Sequence, residues 1–208
     1  MVSAATNGTT HRRTPRVGSA VKYRTIVADP PWPIADVRSR PWCRKGGRRA
    51  RDTYLPYDLM TVDAIQALPV AELAEPDAHL FLWVTAQFNS QGIGMATARA
   101  WGFERVSEIV WEKPNFGLGA FPRPTHEILL ISRRGKLPFT GPRNVRSVQR
   151  WAVEYDTTNH GKQHSRKPEG AMDLIEQASP GPYIELFGRR QRLGWDTWGN
   201  ECFQSVAL

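Results

Sequence analysis

Apolar and polar positions divide the chain into short apolar runs separated by turn residues, the pattern of a sheet interleaved with helices. The run from Val21 ends in Thr25-Ile26-Val27-Ala28, whose β-branched interior predicts a strand over 21–28. It stops at Asp29-Pro30-Pro31, because proline lacks an N–H and keeps the preceding residue out of the α region. Ala78–Val84 (AHLFLWV) is continuously apolar, as a central strand covered on both faces must be. Arg105–Trp111 and Glu127–Ser132 predict two more strands, and Tyr183–Phe187 is the last clear one. Thr61 reads as the N-cap of a short helix with Asp63 in its first turn, broken at Pro69. A second helix is expected from about Gln87 to Trp101, with Gly102 as its stop. A third opens at Lys167-Pro168-Glu169, runs to about Ala178 and closes at Pro180-Gly181. The order β-loop-α-β-α-β-β-α-β predicts an α/β fold of Rossmann type.

The segments outside this pattern carry much of the charge. Residues 1–20 are rich in Thr, Ala, Arg and Gly and have no periodicity, so a disordered arm is expected, leaving 21–208 as a single domain. Residues 33–56 form a long basic loop and 114–124 a Gly/Pro-rich one. The chain of 208 residues carries a formal net charge of +8, a balance that favours polyanion partners. Between Arg38 and Arg51 lie Arg40, Arg44, Lys45, Arg48 and Arg49, with no acid among them. A second cluster holds Arg133, Arg134, Lys136, Arg143, Arg146 and Arg150, and a third holds His160, Lys162, His164, Arg166 and Lys167. A single cluster of this kind reads equally well as a solvated face; three of them in loop-like sequence point to nucleic acid.

Composition also excludes. No run approaches the roughly 18 apolar residues of a membrane span, and the N-terminus has no apolar core of a secretory signal. Cys43 and Cys202 are isolated and lack metal-ligand spacing, which fits a reducing compartment. His126 and His164 read as loop or neighbouring residues rather than ligands, and no metal site is expected.

Asp29-Pro30-Pro31-Trp32 is the candidate for chemistry. On its own it also reads as a plain turn, yet it follows a buried strand, where α/β sheets place their sites. The exocyclic amine of adenine is a poor nucleophile, its lone pair being delocalised into the ring. Two acceptors on its two N–H bonds would free and aim that lone pair. Asp29 offers a carboxylate, the Pro30 carbonyl is pinned by the fixed φ of Pro30 and Pro31, and Trp32 offers a face for the base.

Further segments follow in a fixed order: Leu55-Pro56-Tyr57, Leu80-Phe81-Leu82-Trp83-Val84-Thr85, Trp101-Gly102-Phe103 and Ile109-Val110-Trp111-Glu112-Lys113. Then come Ser165-Arg166-Lys167-Pro168, Ser179-Pro180-Gly181, Glu185-Leu186-Phe187-Gly188-Arg189 and Trp198-Gly199-Asn200. From Tyr23 to about Glu201 the chain resembles the MT-A family of adenine N6-methyltransferases. That family comprises the catalytic subunit of the eukaryotic mRNA adenosine N6-methyltransferase and its bacterial and phage relatives. The resemblance implies a Rossmann-like class I methyltransferase fold, with a mixed, mostly parallel seven-stranded sheet, and S-adenosyl-L-methionine as cofactor. It places Asp29, Lys167, Glu185, Phe187, Arg189, Asn200 and Glu201 at the cofactor, and Trp32, Tyr57, Lys113, Glu127 and Ser165 around the target adenine.

Read as residues alone, Phe187 is first of all a strand core position, and Trp83 and Trp111 also read as core. Glu185 is a charge in an apolar strand that needs a partner or a ligand, and Lys167 opposes the dipole of the helix it precedes. The chain departs from the eukaryotic pattern after Arg189, where Arg190-Gln191-Arg192 replaces Pro-His-Asn. It also has no counterpart of the segment that holds the cofactor's adenine, and its loop after Trp32 is longer and more basic.

The single-domain form and the likeness to bacterial and phage relatives favour DNA over RNA as substrate. They also point to the cytoplasm of a bacterial or phage-infected cell. Relatives act as dimers, so a homodimer or a heterodimer with a related subunit is expected. A non-catalytic nucleic-acid-binding subunit is the alternative, opposed by the intact Asp29, Trp32, Lys167 and Asn200. A zinc deaminase lacks its His-x-Glu and Cys-x-x-Cys signature here. Neutralising Arg44, Arg48 and Arg49 together is expected to weaken oligonucleotide binding and flatten its salt dependence, with affinity for the cofactor unchanged. Anisotropy titrations at several salt concentrations would check this, and a loss of cofactor binding would move the loop into the cofactor site.

Overall fold

The computed structural model describes residues 21–34, 59–116, 122–153 and 166–199. The N-terminal arm, the basic loop from Arg38 to Arg51 and Tyr57 lie outside them, as do Ser165, Asn200 and Glu201. The described residues build one seven-stranded sheet in the order β5-β3-β4-β2-β1-β6-β7. Its strands are β1 (Tyr23–Ala28), β2 (Ala74–Thr85), β3 (Glu104–Glu112), β4 (His126–Arg134), β5 (Val148–Gln149), β6 (Tyr183–Leu186) and β7 (Trp195–Trp198). β1 runs parallel to both β2 and β6, and β6 to β7; β4 alone is antiparallel, against β2 and β3. The mixed, mostly parallel Rossmann-like sheet is thereby borne out. No helix among the described residues is long and apolar enough to cross a membrane.

The two faces of the sheet bury different helices. Short helices α1 (Val62–Gln66), α2 (Val70–Leu73), α3 (Ala86–Ser90) and α4 (Ile93–Ala100) cover one face. Their Ile65, Val70, Phe88 and Ala98 pack with Ile26, Leu80, Leu82 and Val84. The other face is covered by α5 (Glu169–Ala178), whose Ala171, Met172 and Ile175 pack on Val27, Phe81, Trp83, Trp111 and Leu129. Because strand side chains alternate, Ile26 and Ala28 of β1 belong to the first core and Val27 to the second. Trp83 and Trp111 are core residues, as their strands predict, at 1% and 0% exposure.

Three expectations change. The helix from Gln87 to Trp101 is two helices, because Gly92 adopts φ 73 between them and ends the first. β2 begins at Ala74, earlier than the apolar run, since Pro76 and the acidic pair Glu75 and Asp77 mask a strand end. β5 and β7 are too short to give a clear periodic signal. Thr61 caps α1 as expected, its hydroxyl accepting from the Ala64 N–H at 3.2 Å.

Gly94 lets α4 sit directly on the sheet: a Cβ there would lie 2.7 Å from Val84 Cγ2 and 2.8 Å from Leu130 Cδ1. Gly94→Ala is therefore expected to overpack this contact and cost about 1–3 kcal/mol, despite alanine's better helix propensity. A urea melt whose midpoint does not fall would contradict the packing.

Candidate active site

β1 stands where the strand order turns back, with β2 on one side and β6 on the other, and Asp29 is the first residue beyond it. Such a crossover opens a crevice outside the strand ends. The start of antiparallel β4 reaches the same edge, so Glu127 lies opposite both Thr85 and Trp111. Two-residue periodicity then aims the side chains. Asp29 follows Val27, Glu127 precedes Leu129, Lys113 follows Trp111, and Glu185 pairs with Val27, so all four fall on the α5 face.

Lys167, just before α5, ties them together. Its ammonium lies 2.9 Å from Asp29 Oδ1 and 3.0 Å from Glu127 Oε2, and 5.4 Å from the centre of the Trp83 ring. Glu127 also binds Lys113, whose ammonium sits 4.5 Å over Trp111. The result is a continuous chain of charges, Asp29–Lys167–Glu127–Lys113, with each side chain between 13% and 17% exposed. Burial opposes the charge on Lys167, but Asp29 and Glu127 override it and hold the ammonium above the usual lysine range. Burial likewise raises Glu127, yet the two ammonium groups bring it down to about 2. For Lys113 burial wins, and its affinity for a proton falls in spite of Glu127.

Beside this chain is a small cleft lined by Asp29, Arg166, Lys167, Glu185, Phe187, Arg189 and Arg190. Arg189 Nη2 lies 3.9 Å from Asp29 Oδ2. Burial, aided by the Asp29 carboxylate, pushes Glu185 up to about 7 against the pull of Arg166, Arg189 and Arg192. Phe187, the first residue after β6, has φ 63, a left-handed conformation that a bulky residue holds only when its surroundings impose it. Its ring packs edge-on against Trp198, 5.1 Å between centres. The cleft thus offers cations and carboxylates side by side, a donor set that fits an amino-acid zwitterion such as the methionine end of S-adenosyl-L-methionine.

Arg190-Gln191-Arg192, the departure from the eukaryotic pattern, has a structural use. Glu169, Asp173 and Glu176 make an acidic stripe on α5 at helical spacing. Arg192 bonds all three at 2.7, 2.6 and 2.8 Å, and Arg190 pairs with Glu169. The loop that carries Arg189 is clamped onto the helix that Lys167 precedes. Arg166, Arg190 and Arg192 are the residues the motifs alone do not single out for the site; the acidic stripe on α5, spaced for a basic partner, is the available signal.

Trp32 requires a correction. The residue is 4% exposed, its ring stacks on Phe88 at 5.4 Å, and its indole N–H donates to the Trp83 carbonyl at 2.9 Å. It therefore packs in the core beneath α3, on the face opposite the ion chain, and offers no open face to a base. Its work is to brace the turn. The Pro30 carbonyl accepts the Trp32 N–H at 2.8 Å, leaving one lone pair, and the Pro31 carbonyl accepts from Met60 at 3.0 Å. The second basic cluster is also dispersed: Arg150 pairs with Glu112 at the active edge, whereas Arg133 and Arg134 end β4 at the opposite edge.

The raised Glu185 carries a sign. The folded protein keeps its proton up to about pH 7 and the unfolded chain loses it near 4.5, so the contribution is full below 4.5 and is lost as pH rises through about 7. Glu185→Gln mimics the protonated form and should gain on the wild type by about 1–3 kcal/mol between pH 4.5 and 8. Denaturant melts across that range would show a constant difference if Glu185 were ordinary.

Comparison with known proteins agrees with this geometry. The MT-A70 family model matches residues 23–201. The chain is 30% identical over 191 residues to the type II methyltransferase M.MunI of Mycoplasma sp, covering 86% of this chain and 78% of that protein. It is 29% identical over 211 residues to the N(6)-adenosine-methyltransferase catalytic subunit METTL3 of Homo sapiens, spanning 28% of its length. With the N(6)-adenine-specific methyltransferase METTL4 of Homo sapiens it shares 32% over 200 residues and 39% of the length. With a match that starts at β1, ends beyond β7 and takes in every member of the ion chain, this chain belongs to the MT-A70 family.

Proposed function

We propose that this MT-A70 methyltransferase holds the N6 amine of an adenine in nucleic acid between the Asp29 carboxylate and the Pro30 carbonyl, with DNA preferred over RNA. The observation that carries the reading is Asp29 itself. It stands at the crossover of the sheet, fixed by Lys167, between the cleft that fits a zwitterion and the Lys113–Glu127 pair. Arg166, Lys167 and Arg189 would hold the carboxylate of S-adenosyl-L-methionine, and Glu185 its ammonium group. Bound there, the cofactor supplies an electrophilic methyl on a sulfonium.

The chain's own residues then act by position and charge. Asp29 accepts one N–H of the amine and the remaining lone pair of Pro30 accepts the other, which turns the nitrogen lone pair out of the ring plane. Lys167 and Glu127 keep Asp29 from rotating. Phe187 and Arg189 wall the cofactor side, and Lys113 and Glu127 wall the base side. Tyr57, Ser165, Asn200 and Glu201 complete this assignment from the motifs, and Arg44, Lys45, Arg48 and Arg49 supply phosphate contacts. A base inside a duplex would have to be unstacked to reach Asp29.

DNA is favoured because M.MunI, the relative spanning nearly the same length as this chain, is named a type II methyltransferase. The same likeness supports action in a bacterial or phage-infected cytoplasm, as a homodimer or beside a related subunit. Incubated with labelled S-adenosyl-L-methionine, the protein is expected to methylate adenine in at least one of single-stranded DNA, duplex DNA and RNA. Asp29→Ala should lower the rate by at least about a hundredfold while the fold persists by circular dichroism. Undiminished transfer in that variant would end the mechanism, and salt-sensitive binding without transfer by the wild type would favour a non-catalytic subunit.

A further inference from the structure

An open groove of about 490 Å3 runs between β5 and the side of α5, apart from the cleft at Asp29. Its walls include Asn144, Arg146, Gln149, Trp151, Asp173 and Gln177. The groove begins next to the ion chain: Trp111, which lies under Lys113, donates its indole N–H to the Trp151 carbonyl at 3.0 Å. Gly170 closes that end. A Cβ there would lie 2.5 Å from Trp151 Cδ1, so the bare backbone lets the indole rest on the first turn of α5.

The groove is built mainly of donors. Among the described residues, neither the Arg146 guanidinium nor the Trp151 indole N–H has a partner, and the Gln149 amide donates only to the Arg146 carbonyl at 2.8 Å. Asp173 is the one carboxylate in the described lining, and Arg192 already neutralises it at 2.6 Å. Arg150 is committed to Glu112 and Arg134 to the Ala71 carbonyl, whereas Arg143, three residues before Arg146, is exposed. A peptide partner would want several buried aromatic or aliphatic anchors, and besides the Trp151 indole the groove offers only Val145 and Leu174. A free cation with flat amide and indole donors instead matches a phosphodiester carrying flat bases.

We propose that this groove binds the nucleic-acid strand flanking the target adenine, with a phosphate on Arg146 and the adjoining sugar or base edge on Trp151 and Gln149. The word "target" rests on the methyltransferase reading; the groove's affinity for a strand does not.

The test uses the full chain, its Arg146→Glu and Gln177→Glu variants and a fluorescent single-stranded DNA of about twelve nucleotides. Both substitutions sit on exposed positions away from the ion chain. Arg146→Glu is expected to weaken binding about tenfold or more at low salt and to make log K against log salt shallower by about one. Gln177→Glu should weaken it several-fold, and affinity for S-adenosyl-L-methionine, followed by calorimetry, should not move in either. Wild-type affinity in both variants would overturn the proposal, as would a parallel loss of cofactor affinity. Anisotropy is read without methyl transfer, which separates the two readings. Arg146-dependent binding by a protein that transfers no methyl keeps the groove and removes the methyltransferase, and transfer with binding indifferent to both substitutions does the reverse.

Discussion

The fold of the site depends on one buried ammonium. Taking Lys167 out of water costs several kcal/mol, and a single carboxylate offsets that only with good geometry. Two are present, at 2.9 and 3.0 Å, one from the end of β1 and one from the start of β4. These strands are separated by β2, so Lys167 joins across the sheet what the backbone ladder joins only through an intermediary. Removing the lysine would leave two carboxylates close together with only Lys113 and Arg189 to balance them. Removing either carboxylate would leave the ammonium half-satisfied. The arrangement is therefore fixed before any ligand arrives, which is what catalysis by positioning requires.

The sheet's pleat separates chemistry from support. Asp29, Lys113, Glu127 and Glu185 fall on the α5 face, and the Trp32 ring falls on the other, stacked on Phe88. Its hydrogen bond to the Trp83 carbonyl crosses from the turn to β2 while the Trp83 ring lies beneath Lys167. The tryptophan of the motif thus holds the proline turn from behind, and the prolines present their carbonyl from a rigid base. A tetrapeptide that reads as one catalytic unit is split by the pleat into an acting half and a bracing half.

Most of the architecture was legible because strands buried on both faces are continuous apolar runs, whether parallel as β1 and β2 or antiparallel as β4: Thr25–Ala28, Ala78–Val84 and Glu127–Ser132 all fall inside observed strands. Asp29, Lys113, Glu127, Lys167, Glu185 and Arg189 could be named from motif order, and the fold brings all six to one edge. What stayed hidden was hidden for physical reasons. The role of Trp32 depends on which face of the sheet its ring takes, and an aromatic after a proline turn carries no periodicity to decide that. Gly92 splits a helix by adopting φ 73, a choice that Gly94, two residues on, does not make although its sequence context is much the same. The Arg192 clamp needs three acids on one helix and a loop many residues later, so only tertiary structure joins them.

That clamp also explains how the chain can abandon the eukaryotic Pro-His-Asn without loosening the cleft. A loop that carries a cofactor-facing cation must be held against the repulsion of its neighbours, here Arg166, Lys167, Arg189 and Arg190 around one small space. Asp29 and Glu185 offset part of that charge, but they are needed on the ligand side. The acidic stripe of α5 supplies the balance from outside, through Arg190 on Glu169 and Arg192 on Glu169, Asp173 and Glu176. Networks of this kind hold more than isolated surface pairs, because Arg192 is bonded in a fixed plane by several oxygens at once. The same contact neutralises Asp173 in the wall of the outer groove. One arginine thereby sets the electrostatics on both sides of α5, keeping the cleft fit for a zwitterion and the groove fit for a polyanion.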